Sequence, residues 1–216
     1  MGAIFLAFSS VLNDVKGVLW LDAVLLDSRP DDSTSDEMKG QWHGIQQQVT
    51  KYVLGIIHEF LVLLKKKREL IESDEMEGYV RMLRKPARKR WRTVVQVAMG
   101  ESGTDRTELS GYLARVRNNL SFHYYDPKTL AQGFLEHFGT DSEDPRYLSA
   151  FISHGPTMAA SRYYYADAAV ESAIELIFGS DDVNKHIRRL IEDINGSVSG
   201  LIMAFIQARE REGHSR

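Results

Sequence analysis

The chain has 216 residues, 43% of them hydrophobic and 26% charged, with a formal net charge of -3. This length and composition suit one well-filled core, or one core with appendages, and exclude wholesale disorder. The absence of cysteine excludes disulfides, thiolate metal sites and cysteine nucleophiles and accords with a reducing, cytoplasmic setting; the slightly acidic balance confines any nucleic-acid contact to a local basic patch.

Met1 to Leu26 is strongly apolar, but Asp14, Lys16 and Asp22 interrupt it and no basic segment precedes it. These charges argue against a signal peptide or a membrane span. Phe5, Phe8, Leu12, Val15, Leu19 and Ala23 recur every three or four positions and predict a core-packed helix over 1–27. A polar loop with a proline follows at Ser28 to Ser35, and a long helix is then expected from about Gln41 to Ser73. Its stripe is Ile45, Val49, Tyr52, Val53, Ile56, Phe60 and Leu64, and its terminal Lys65-Lys66-Lys67-Arg68 complements the helix dipole.

From Asp74 to Met99 the pattern is helical, interrupted or kinked at Pro86. Gly100 to Asp105 reads as a loop ending in an N-cap at Thr104 or Asp105. The next helix buries Leu109, Leu113, Val116 and Leu120 and should stop near Tyr125, because Asp126-Pro127 suits the cap and first position of a new helix through Phe138. Asp141 to Arg146 is an acidic loop, and the aromatic segments of 147–165 around His154-Gly155-Pro156 predict a short β-hairpin. Helices resume at about Asp167 to Phe178 and Asp181 to Glu212; in the last, Gly196 and Gly200 either admit a close neighbour or weaken the helix. The expected fold is an all-α helical bundle, one domain over 1–216, with an N-terminal helix at 1–27 and a bundle at 41–212.

The chemistry concentrates in Arg117-Asn118-Asn119-Leu120-Ser121-Phe122-His123-Tyr124-Tyr125. A permanently charged guanidinium and a group that moves protons near pH 7 are the minimum needed to cut a phosphodiester without a metal. Spacing alone decides nothing: composition predicts roughly two Arg-x(4–6)-His matches by chance, and the chain has two, Arg117–His123 and Arg209–His214. The first lies on an ordered helix, with Asn118 to orient a phosphate or the imidazole; the second lies in a charged tail. Six helical residues place Arg117 and His123 about 120° apart and about 9 Å along the axis, so convergence needs an arching arginine, a loosened helix or a second subunit. The bland alternative is a surface arginine and a hydrogen-bonded imidazole.

This arrangement resembles the Arg-x(4–6)-His signature of the HEPN superfamily, and His123-Tyr124-Tyr125 is similar to the version found in toxins partnered by minimal nucleotidyltransferases. The motif covers nine residues, with a helical background over about 40–210. The resemblance implies a HEPN-like bundle that dimerises and sets two motifs in one cleft. It implies a metal-independent, cofactor-free endoribonuclease in toxin–antitoxin, phage-defence or RNA-processing systems. Arg117 would then stabilise the transition state, His123 would move the proton of the ribose 2′-OH, and Asn118 would position the phosphate. Tyr125 would match the tyrosine that a nucleotidyltransferase-type antitoxin modifies with AMP, although the spacer here is five residues where that subgroup usually has four.

Arg81 to Arg92 holds seven basic residues in twelve and no acid. Arg84, Lys85, Arg88, Lys89, Arg90 and Arg92 are the candidate RNA contacts, presented on a loop around Pro86, with Trp91 as a stacking ring. The alternative is a solvated face balanced by Asp74, Glu75 and Glu77. Tyr163-Tyr164-Tyr165 are expected to plug a core edge rather than stack bases. No histidine or carboxylate spacing suits a helix-borne metal site. From another class, a non-catalytic helical module that dimerises or binds RNA or protein through the basic strip accounts for the same residues.

Overall fold

Apolar residues at three- and four-residue intervals fold into helices throughout the computed structural model, which describes residues 1–100, 109–121, 127–139, 152–153, 162–179 and 181–214. In chain order these are α1 (Gly2–Asp27), α2 (Asp36–Lys66), α3 (Arg68–Ile71), α4 (Asp74–Met82), α5 (Lys85–Met99) and α6 (Leu109–Val116), which runs into a π-helical turn at Arg117–Ser121. There follow α7 (Pro127–Phe138), β1 (Ile152–Ser153), β2 (Arg162–Tyr163), α8 (Tyr164–Phe178) and α9 (Asp181–His214). The protein is an all-α helical bundle, and the expected hairpin is present as one antiparallel ladder pairing Ile152 with Tyr163 and Ser153 with Arg162. The expected loop and cap at 101–105, the helix stop at Asp126 and the acidic loop at 141–146 lie outside the described residues.

Two boundaries are set by local chemistry, one departing from the sequence reading and one narrowing it. The helix expected over 41–73 divides after Lys66, and α4 has its own start: Ser73 accepts a hydrogen bond from the Met76 amide at 3.2 Å, ahead of Asp74, Glu75 and Glu77 in the first turn. A capping hydroxyl followed by first-turn acids favours a new helix over continuation of the old one. Around Pro86 the helix is broken rather than kinked. Leu83 and Arg84 are extended and Pro86 occupies the first turn of α5, where its missing N–H has no helical partner to lose.

The chain groups into two compact units, and α1, α2 and α6 each contribute to both. The first comprises Met1–Gly17, Ile56–Gly111 and Asp181–Arg216. Its core is aromatic: Phe5 stacks on Phe205 at 4.4 Å and meets Tyr79 edge-on, while Phe8 packs against Phe60 and Trp91. Helix α9 lies along α4 and α5 in this unit. Its glycines are sites of close approach, although by side chains: a Cβ at Gly200 would lie 2.8 Å from Leu83, and one at Gly196 would overlap the Arg90 guanidinium.

The second unit comprises Val18–Gly55 and Tyr112–Ser180. Here Trp42 is buried and donates its indole N–H to the Leu25 carbonyl at 2.8 Å, tying the end of α1 to α2. Helices α7 and α8 pack along one another so closely that a Cβ at Gly133 would overlap the Ala169 carbonyl oxygen. Two predicted stripes are corrected. In α1, Phe5, Phe8, Leu12 and Val15 are buried, but Leu19 and Ala23 are exposed and burial resumes at Leu25. In α2, Val49, Val53, Phe60 and Leu64 are buried, whereas Ile45 and Tyr52 face solvent, because that part of α2 turns Gly44 and Lys51 inward instead.

Candidate functional site

The predicted motif begins on a firm base. Leu109, Leu113 and Val116 are all buried, as expected for the inward stripe of α6, and Leu120 stays fully buried although the backbone has widened. The widening is the π-helical turn Arg117–Ser121, which occupies the first five residues of the motif. Such turns are rare and concentrate at functional sites. On it, Arg117 is half-buried and Asn118 exposed, and the arginine Nη1 donates to the Asn118 Oδ1 at 3.1 Å. Asn119 reaches across to α7, its amide donating to the Thr129 hydroxyl at 3.4 Å. The guanidinium is thus steadied by a neighbouring amide whose N–H2 remains a donor, a pairing suited to phosphate oxygens. Of the predicted catalytic set, Arg117 and Asn118 are brought together; His123, Tyr124 and Tyr125 lie outside the described residues.

The basic strip, in the other unit, is carried by helices rather than by a loop. It spans the end of α4, the break at Leu83–Arg84 and the first half of α5. Trp91 is not a stacking ring: it is 3% exposed and packs on Phe8, because it starts the buried stripe Trp91, Val94, Val97 of α5. Arg88 donates to the carbonyls of Arg81, at 2.7 Å, and Leu83, satisfying the end of α4. Arg90 lies against Gly196 with its Nε 3.8 Å from Asp193. These two are therefore largely structural. Arg84, Lys85, Lys89 and Arg92 are exposed, and their side chains form no ion pair or hydrogen bond with described residues. Lys85, Lys89 and Arg92 share one helical face and, with Pro86 and Arg88, line a concavity of about 720 Å³. Of the upstream acids, Glu77 pairs with Arg81 at 3.4 Å.

No family model, no curated protein and no solved structure matches this chain. The functional reading therefore rests on the residues themselves.

One cluster escaped the sequence reading. Lys51, within α2, is 5% exposed, and burial lowers its pKa from the ordinary lysine range, with the charge of Asp167 opposing the shift and that of Arg162 adding to it. Arg162 Nε donates to Asp167 Oδ2 at 2.7 Å. The available signal was Gly40, Gly44, Gln48 and Lys51 on one helical face, which breaks the apolar stripe otherwise assigned to α2. The tyrosine run is also corrected in part: Tyr163 is 51% exposed, while Tyr164 and Tyr165 are half-buried. His137 lies 3.4 Å from the Ser172 hydroxyl. Among the described residues no cluster of three histidines or carboxylates could hold a metal ion.

Proposed function

We propose that this protein is a metal-independent endoribonuclease of the HEPN type, acting in a toxin–antitoxin or phage-defence system of the cytoplasm. The observation that carries the reading is the Arg117–Asn118 hydrogen bond on a π-helical turn braced from beneath by Leu113, Val116 and Leu120. The guanidinium donates to the non-bridging oxygens of the scissile phosphate, where negative charge grows in the transition state. His123 accepts the proton of the ribose 2′-OH as its oxygen attacks phosphorus. The bond to the 5′ oxygen breaks, that oxygen takes up a proton, and a 2′,3′-cyclic phosphate and a 5′-hydroxyl result. A homodimer supplies a second copy of the motif to the same cleft. Tyr125 is the residue a nucleotidyltransferase-type antitoxin, or another defence partner, would modify.

A fluorescent RNA incubated with the purified protein in EDTA should be cut to cyclic-phosphate ends. Arg117→Ala and His123→Ala should each lower the rate by roughly 100-fold or more. Cleavage undiminished in His123→Ala overturns the mechanism.

A second reading, a non-catalytic RNA-binding module, is favoured by one specific observation: Arg84 and Lys85 stand at the N-terminus of α5 with no acid in its first turn. Cations there oppose the helix dipole, and an RNA phosphate would relieve both. Under this reading, binding survives loss of Arg117 and His123 and cleavage is never seen.

A further inference from the structure

Among the described residues, Lys51 is the charged side chain that the core encloses, at 5% exposure. Its position follows from the face of α2 that carries it, where Gly40, Gly44, Gln48 and Lys51 succeed one another at three- and four-residue intervals. The first two are glycine because the corner between β2 and α8 is seated on them. A Cβ at Gly40 would come within 2.6 Å of the Tyr164 ring, and one at Gly44 would overlap the Arg162 guanidinium. The same corner commits Asp167 to Arg162, with which it shares a 2.7 Å hydrogen bond. Asp167 is the acid whose charge acts on Lys51, yet Lys51 has no hydrogen bond or ion pair with any described residue. Lysine and arginine against one aspartate leave the cluster with one net positive charge.

This charge sits at a cavity of about 420 Å³ walled by Gln48, Lys51, Leu130, Phe134, Tyr165 and Val170. The volume is that of a small-molecule site, and so is the construction: apolar walls with a few polar groups. Helix α7 contributes no ionisable group to the wall; α8 contributes Tyr165 and Asp167. The first turn of α8 brings Tyr165 and Asp167 to the cavity wall. A largely buried ammonium with no partner among the described residues is costly, and a carboxylate entering from solvent is the counter-ion that completes it.

We infer that this cavity binds a small organic carboxylate with an apolar body, its carboxylate on Lys51 and its body against Leu130, Phe134 and Val170. Binding is coupled to protons: an arriving anion favours the charged form of Lys51, so proton uptake accompanies binding wherever the free amine is partly neutral.

Isothermal titration of the full chain with phenylacetate and octanoate tests this, with acetate, 2-phenylethanol and inorganic phosphate as probes lacking either the body or the carboxylate. At least one of the two carboxylates should bind, and the three controls should bind at least about tenfold more weakly. Lys51→Met should weaken binding roughly 10- to 100-fold. In the unaltered protein, affinity should fall as pH rises through the lowered pKa of Lys51, and titrations in buffers of different ionisation enthalpy should report proton uptake. The inference is overturned if neither carboxylate binds, if phosphate binds as well as they do, if Lys51→Met binds normally, or if binding takes up no proton at any pH. The last readout needs no variant, so a misfolded Lys51→Met leaves the inference open to refutation.

Discussion

Replacing Lys51 by methionine should stabilise the fold. The lysine stem already lies in the interior and methionine nearly matches its length, so the packing is kept. What is removed is an ammonium that burial holds out of water and that pairs with no described residue, since Asp167 is committed to Arg162. Replacing enclosed charge by apolar atoms of similar volume is commonly neutral or favourable, and here a gain of about 1–2 kcal/mol is expected at neutral pH. For a chain of this size that is a rise in Tm of about 2–8 °C. The pH dependence gives the sign. Unfolded Lys51 keeps its proton up to the ordinary value of 10.5, whereas folded Lys51 releases it earlier. Between those two values the unfolded state binds more protons, so wild-type stability rises with pH and the lysine's penalty fades. The advantage of Lys51→Met should therefore be largest below the lowered pKa and vanish above 10.5. Thermal unfolding followed by circular dichroism across that range measures both. A variant less stable by more than about 1 kcal/mol, with no pH dependence of the difference, would show that the ammonium is a satisfied part of the core.

Charge reversal on α5 should separate function from stability. The triple variant Lys85→Glu, Lys89→Glu, Arg92→Glu should lower the salt dependence of single-stranded RNA binding by about two in the log–log slope, as expected for three lost phosphate contacts. Lys85→Glu alone should stabilise the protein by about 0.3–1 kcal/mol, because it places an acid where the helix dipole favours one. An unchanged salt slope would remove this face from the RNA contact. Gly133→Ala should destabilise by about 1–3 kcal/mol in denaturant midpoint, since the new methyl meets the α8 backbone at Ala169. Gly44→Ala should cost less, because the atoms in its way are the end of the Arg162 side chain, which can swing aside; equal losses would contradict that geometry.

Periodicity carried the fold a long way. The stripe Leu109, Leu113, Val116, Leu120 is buried at every position, α7 starts at Pro127 and runs to Phe138 as expected, and the hairpin pairs within its expected region. These are local matters, decided by the 3.6-residue repeat and by proline chemistry, which one segment reveals without its neighbours. The π-helical turn was not legible, because the residues of RNNLS carry no mark distinguishing a widened turn from an ordinary one. Nor was the fate of the basic strip. Arg88 and Arg90 read like Lys89 and Arg92 in sequence, and only the α4 carbonyls and Gly196 of α9 divert the first pair into structure.

Lys51 marks the same division. Its neighbours in sequence predict a solvated lysine on a helix, and stripe assignment duly placed Ile45 and Tyr52 inward. The corner between β2 and α8 decides otherwise: Tyr164 and Arg162 need glycine at positions 40 and 44, and seating them there turns residue 51 into the core. Helix, turn and the identity of the chemically capable residues are properties of short segments and are written in the chain. Which cation is enclosed, which is diverted and which is left for a ligand depends on contacts between residues far apart in sequence, and only packing creates those.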